Sequence, residues 1–437
     1  MRSLRRTITL LPLLLSLAWT QMPPASSSGT VTEFEVNGLK VILKQRPGTQ
    51  TLAAGLFVRG GSANITAANA GIESLLLNVS IDGSTRFPRV LLRSELARMG
   101  GAINYGTNYD YSALSMACTR ENFDRTWEIF TDVALHPALL PHDVETERQR
   151  LVVERSGSDT ADEVIQQEEA RVIYAGHAYA NEPRGTPASL SKLTAADLKL
   201  YHRQIMQTSH LLLVVVGDLD VFTLKSRVTA AFSAVPRGDY KPSAAPPLKF
   251  TPAARVVSRG ITSTYVEGSY AGPAFSSSDF AALQLAVSIL RDSAFNELRI
   301  RHGLSYSPTA ELRSQSASVG SIYFSTTDVN QATDLFLKQI SKLKKDPVSA
   351  DDLVGTVSQY VTTYYMDNQT SAAQAGMLAQ YELIGGGWRN AETMLDRLRA
   401  VTPADIQRVA KQYMRNLQFT VVGDDKSVNQ KLLTTEP

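Results

Sequence analysis

The chain has 437 residues, enough for two or three domains, and its 43% hydrophobic content supports a sizeable core, which excludes a disordered or fibrous chain. Lys and Arg number 44 against 42 for Asp and Glu, a net charge of +2. That balance gives no case for nucleic acid or an anionic membrane surface as a partner.

The N-terminus reads as a targeting segment. Arg2, Arg5 and Arg6 give the positive end, Thr7 to Trp19 the apolar stretch, and Ser16-Leu17-Ala18 a small-residue cleavage site. Residues 1–20 are therefore expected to be a signal peptide and the mature chain to be periplasmic; the competing reading is a buried N-terminal helix. The apolar run is too short and too proline-interrupted to span a membrane comfortably. No Cys lies near the cleavage site, which argues against a lipid anchor, and residues 21–30, rich in Pro and Ser, are expected to be flexible.

Phe34-Glu35-Val36 and Leu39 to Leu43 flank Asn37-Gly38, the dipeptide best suited to a two-residue hairpin turn. Thr51 to Arg59 reads as a strand and Ala70 to Ser80 as a helix. Leu91 to Met99 is a helix that stops at Gly100-Gly101. Ile103 to Cys118 reads as one strand, and Cys118, the single cysteine, as a small core hydrophobe. Asn122 to Leu135, Asp143 to Ser156 and Asp162 to Tyr174 read as helices, and Leu211 to Val216 as a buried strand. Residues 236–253 carry five prolines and little periodicity, a linker signature.

Beyond the linker the pattern restarts. Thr194-Ala-Ala-Asp197 opens a helix that leads to a strand ending in Gly217-Asp218, and Thr402-Pro-Ala-Asp405 opens one that leads to Gly423-Asp424. Thr caps free amides and Asp complements the helix dipole, so each four-residue unit suits a helix start. The matching caps, strands and Gly-Asp ends predict a duplication. The expected fold is α+β, with two homologous domains, 31–235 and 254–437, each an antiparallel-rich sheet packed against helices.

Several segments in this order resemble the insulinase/pitrilysin zinc peptidases, the group that includes mitochondrial processing peptidase. They are Asn37 to Val41, Arg59 to Ala63, Gly100 to Asn104, Gly176-His-Ala-Tyr179 and Gly185-Thr186. In that family a helix carries His-x-x-Glu-His, two zinc ligands on one face and a general base. Here Gly71 and Gly83-Ser84 fit the frame, which places Ser74 and Asn78 at the two ligand positions and Leu77 at the base. Ser and Asn are poor zinc ligands and Leu cannot take a proton, so no metal is expected in this chain. Glu73 lies one position off, on another helical face. Glu154 matches the third ligand. It reads either as a relic hydrogen-bonded to Ser74 or Asn78, or as a partly solvated helix glutamate.

Leu298-Arg299-Ile-Arg301-His302-Gly303-Leu304-Ser305-Tyr306 resembles the family's Arg/Tyr element, in which the pair reaches the substrate backbone from the half opposite the zinc. Arg299 and Tyr306 match its spacing, with Arg301 as the competitor if register slips; the plainer reading makes Arg299 a surface residue and Tyr306 a core aromatic. No glycine-rich loop precedes the element, so presequence handling is not implied. The resemblance implies a non-catalytic subunit that pairs with a zinc-bearing homologue around an unfolded peptide, zinc residing in the partner. The alternative is a non-enzymatic scaffold or peptide-holding protein of the same fold. A Ser/His hydrolase finds no support, since Gly-x-Ser-x-Gly is missing.

Overall fold

The computed structural model describes residues 29–156, 160–243 and 245–437; the expected signal peptide and residues 21–28 of the segment expected to be flexible lie outside them. The first half contains strands β1 (Val31–Val36), β2 (Leu39–Gln45), β3 (Thr51–Arg59), β4 (Ala102–Thr107), β5 (Tyr111–Thr119) and β6 (Leu211–Gly217). Its helices are α1 (Ile72–Ser80), α2 (Arg89–Met99), α3 (Phe123–Leu135), α4 (Pro141–Ser156), α5 (Ala161–Ile173), α6 (Pro187–Leu190), α7 (Ala195–Ile205) and α8 (Val221–Phe232). The second half contains β7 (Ala253–Ser258), β8 (Thr264–Ala271), β9 (Thr309–Leu312), β10 (Val319–Thr326) and β11 (Gln418–Gly423). Its helices are α9 (Asp279–Ala294), α10 (Val329–Lys345), α11 (Ala350–Asp367), α12 (Ser371–Ile384), α13 (Arg389–Glu392), α14 (Met394–Arg399), α15 (Pro403–Tyr413) and α16 (Gln430–Leu433).

The two sheets repeat one topology. The first runs β1-β2-β6-β3-β5-β4 and the second β7-β11-β8-β10-β9. In each, a single parallel pair (β2 with β6, β7 with β11) joins an otherwise antiparallel array. The helices before β6 and β11 both start with a closed capping box, Thr194 with Asp197 and Thr402 with Asp405. Among the described residues only the first half has the extra hairpin strand β1. Its turn needs two left-handed residues, which Asn37 (φ 49°) and Gly38 (φ 85°) supply.

One expected element divides in two. The stretch read as a single strand is two antiparallel strands, β4 and β5, because the Asn108 carboxamide oxygen accepts from the backbone N–H groups of Asp110 and Tyr111 and closes a turn. That leaves β4 as an open sheet edge.

Side-chain alternation explains how the halves join. In β6, Leu211, Leu213 and Val215 face the core made with the first half's own helices, where Leu75, Phe130 and Phe232 are fully buried. Leu212, Val214 and Val216 face the other way, with Ile42 and Phe57, onto Ala375, Leu378 and Ala379 of α12. A strand buried on both faces has to be apolar throughout, as this one is. The docking is reciprocal: α5 of the first half lies on β8 and β11 of the second. The 236–253 segment is held against the body. Tyr240 stacks on His210 with ring centroids 3.8 Å apart, and Phe250 is buried beside Ile173 and Tyr174.

Candidate functional site: the α1–α4 face and the Arg299–Tyr306 element

Helix α1 starts at Gly71, whose φ of 88° favours glycine. A Cβ there would meet the Gly185 Cα at 2.6 Å, so the two glycines permit a close approach that draws the 176–186 loop onto the helix start. All nine residues of α1 are buried. Among them are Ser74, Leu77 and Asn78, with Leu77 inside the first hydrophobic core.

The Asn78 carboxamide donates to Glu147 Oε2 of α4 at 3.1 Å. Glu154 does not bond to Ser74 or Asn78 and fits its other reading, a partly solvated helix glutamate. Its side chain is half exposed and pairs with Arg150 (3.1 Å) and Arg155 (3.3 Å). Glu147, two helical turns earlier, takes the contact with α1 instead. Arg150 also donates through Nε to Glu147 at 2.8 Å, so its guanidinium lies between both carboxylates, beside Tyr105 of β4. Burial raises the Tyr105 phenol above its ordinary value. Neither Glu147 nor Arg150 was singled out from the sequence. The signal was there in the seven-residue spacing of Glu147 and Glu154, which puts both on one face of a helix.

Glu73 faces away, as its register requires. It accepts from Asn64 (2.9 Å), Tyr201 (2.6 Å) and Ser112. Burial pushes its carboxyl up, against the pull of those three donors. The group ties α1 to β5 and α7 and is remote in orientation from Ser74 and Asn78.

The zinc that such a helix would carry does not fit here. Zinc takes imidazole, thiolate or carboxylate ligands. The α1 face offers a hydroxyl, an isobutyl group and a carboxamide, and the carboxylates opposite are already occupied by a guanidinium. Among the described residues no three His, Cys, Asp or Glu side chains are gathered as a metal would need.

In the second half, α9 runs on into a π-helical turn, Phe295–Arg301. Arg299 sits in that turn and donates from Nη1 to the Tyr306 carbonyl at 2.8 Å. Its guanidinium carbon lies 4.3 Å from the Tyr306 ring centroid and 5.1 Å from that of Phe295. Gly303, at φ 60°, lets the chain reverse between them. Tyr306 is 77% exposed, so it is not a core aromatic. Arg301 and His302 are engaged with Glu297, which leaves Arg299 as the arginine coupled to Tyr306. An exposed phenol braced by a cation is suited to donating hydrogen bonds to an extended backbone.

Fold and residue pattern together define a class: a duplicated α+β chain of the zinc-peptidase type. Comparison with known proteins agrees. Residues 40–186 match the model for insulinase, peptidase family M16, and residues 192–360 match that for the peptidase M16 inactive domain. The chain is 22% identical over 409 residues to the mitochondrial-processing peptidase subunit beta of Blastocladiella emersonii, covering 89% of this chain and 87% of that one. It is 20% identical over 410 residues to the cytochrome b-c1 complex subunit 1 of Caenorhabditis elegans, with 89% and 86% covered. The crystal structure of a peptidase M16 inactive domain from Pseudomonas fluorescens superposes with a TM-score of 0.83 at 16% identity, over 92% of this chain and 99% of that one, a likeness of fold. The chain belongs to the insulinase (M16) peptidase family.

Proposed function

We propose that this chain is the non-catalytic subunit of a heterodimeric zinc peptidase. It forms half of a closed chamber around an unfolded peptide, in the periplasm, and its partner is a homologous subunit that carries the His-x-x-Glu-His helix and the zinc. The observation that carries the reading is the state of the α1–α4 face: Ser74, Leu77 and Asn78 where ligands and base belong, and Arg150 between Glu147 and Glu154. Such a face can line a chamber but cannot activate water. Arg299 and Tyr306 act in trans. Their N–H and O–H groups donate to the substrate backbone and to the charge that develops when the partner's water attacks a carbonyl.

The test is peptidase activity of the purified chain, alone and mixed with a His-x-x-Glu-His homologue from the same genome. Activity is expected only in the mixture, and Arg299→Ala or Tyr306→Phe should lower it by roughly 10²–10³-fold. No complex and no gain of activity would overturn the proposal. That outcome would favour a second reading, a non-enzymatic scaffold that uses neither Arg299 nor Tyr306; the C. elegans relative, a subunit of the cytochrome b-c1 complex, is the observation on its side.

A further inference from the structure

The seam between α5 and the second sheet is built unlike the rest of the interior. Glu169 of α5 enters the face formed by β8, β10 and β11 and is 2% exposed. Both of its carboxylate oxygens accept from Arg313 Nη2, at 2.8 and 2.7 Å, and Ser269 of β8 donates to it as well. The same Nη2 lies 3.0 Å from Glu267 Oε1, also on β8 and 6% exposed. One guanidinium thus serves two buried carboxylates from opposite halves of the molecule.

Among the described residues Arg313 is the one cation bonded to either carboxylate. Glu267 faces Ser321 and Tyr323 from β10, Thr420 from β11 and Glu311 from β9. On α5 the remaining charged groups near the sheet are Asp162, bonded to the Tyr323 hydroxyl, and Glu168, paired at the rim with Arg255 and Arg171. Tyr174, just past the end of α5, lies against Arg313. With both carboxylates ionised, the cluster would bury one uncompensated negative charge. With one proton on the pair it is neutral.

We propose that α5 is a proton-gated clamp between the two halves: it stays seated on the second sheet while the Glu169–Arg313–Glu267 cluster holds one proton, and it lifts from that sheet when Glu267 gives the proton to solvent. The gate falls in a usable range, because burial and the neighbouring Glu169 push the Glu267 carboxyl up to about 8. The reciprocal seam differs in its charge balance: α12 meets the first sheet through Ala375, Leu378 and Ala379, and its one carboxylate there, Glu382, has its own cation in Lys40 of β2 at 2.7 Å.

Hydrogen exchange read by mass spectrometry on the full chain, from pH 6 to 9 and corrected for intrinsic exchange rates, tests this. Protection in residues 161–173 and 264–271 should fall by about tenfold between pH 7 and 9, while residues 371–384 stay constant. Glu267→Gln, which keeps the shape and removes the ionisation, should hold α5 protected throughout, and Glu169→Gln should do the same because Arg313 then neutralises the single remaining carboxylate. Protection of α5 that does not change with pH in the natural chain would overturn the proposal. So would a loss that persists in both variants, or one that α12 shares equally.

Discussion

Helices α5 and α12 occupy corresponding places in the two halves, each laid on the other half's sheet, yet one meets a largely apolar face with its charges paired and the other a polar face with two carboxylates to one guanidinium. The far face of the first sheet presents Ile42, Phe57, Leu212, Val214 and Val216, with Lys40 beside them paired to Glu382 of α12. The far face of the second presents Glu267, Ser269, Ser321 and Thr420, all buried. An apolar contact is non-directional and indifferent to pH, and burial of each Leu or Phe contributes about 1.5–3 kcal/mol. A buried ionic contact depends on geometry and loses its value once a partner or a proton is missing. The same duplicated helix therefore serves as a permanent bolt on one side and a conditional one on the other.

The comparison can be broken by substitution. The largest effect is expected for Arg313→Ala, which strands two buried carboxylates and should cost about 3–5 kcal/mol in denaturant unfolding at neutral pH. Leu378→Ala, at a site 1% exposed, should cost about 2–5 kcal/mol, and the cost should not vary between pH 5 and 9. A pH-dependent cost at Leu378 would erase the distinction between the seams. Glu267→Gln sharpens it. Because the folded-state value lies near 8, above the ordinary 4.5, this carboxyl contributes stability that is fully present below about 4.5 and lost as pH rises through about 8. The natural chain should lose stability across that window, and the variant's curve should be flatter.

Smaller effects probe the duplication itself. Thr194→Ala and Thr402→Ala open equivalent capping boxes, and each should cost roughly 1 kcal/mol in thermal unfolding. A much larger loss at one of them would show that the two caps carry different loads. Smallest of all, Tyr306→Phe removes an exposed hydroxyl and should move stability by no more than about 0.5 kcal/mol. The proposed function instead expects its effect in the activity of the mixture with a zinc-bearing subunit.

Much of this architecture is legible in the residue order. The paired Thr-x-x-Asp starts and Gly-Asp strand ends disclose the duplication, and the unbroken apolar run Leu211 to Val216 announces a strand covered on both faces. What the order hides is long-range or side-chain in origin. The division between β4 and β5 turns on where one Asn108 oxygen points. The choice of Glu147 over Glu154 as the partner of Asn78 depends on how α4 packs across α1. The meeting of Glu169 with Arg313 spans 144 positions and exists only because α5 crosses to the other sheet. Ser74, Leu77 and Asn78 could be located because glycines frame the helix; what holds them now could not.

The crossing of α5 and α12 also bears on what counts as a separable piece of this protein. Each half leaves a lid behind on its sibling, so a cut in the 236–253 segment should not release two independent bodies. It should give a two-fragment protein that elutes as one species. Either fragment made alone would expose an uncovered sheet face, apolar in one case and acidic in the other, and should be rescued from aggregation by adding its complement.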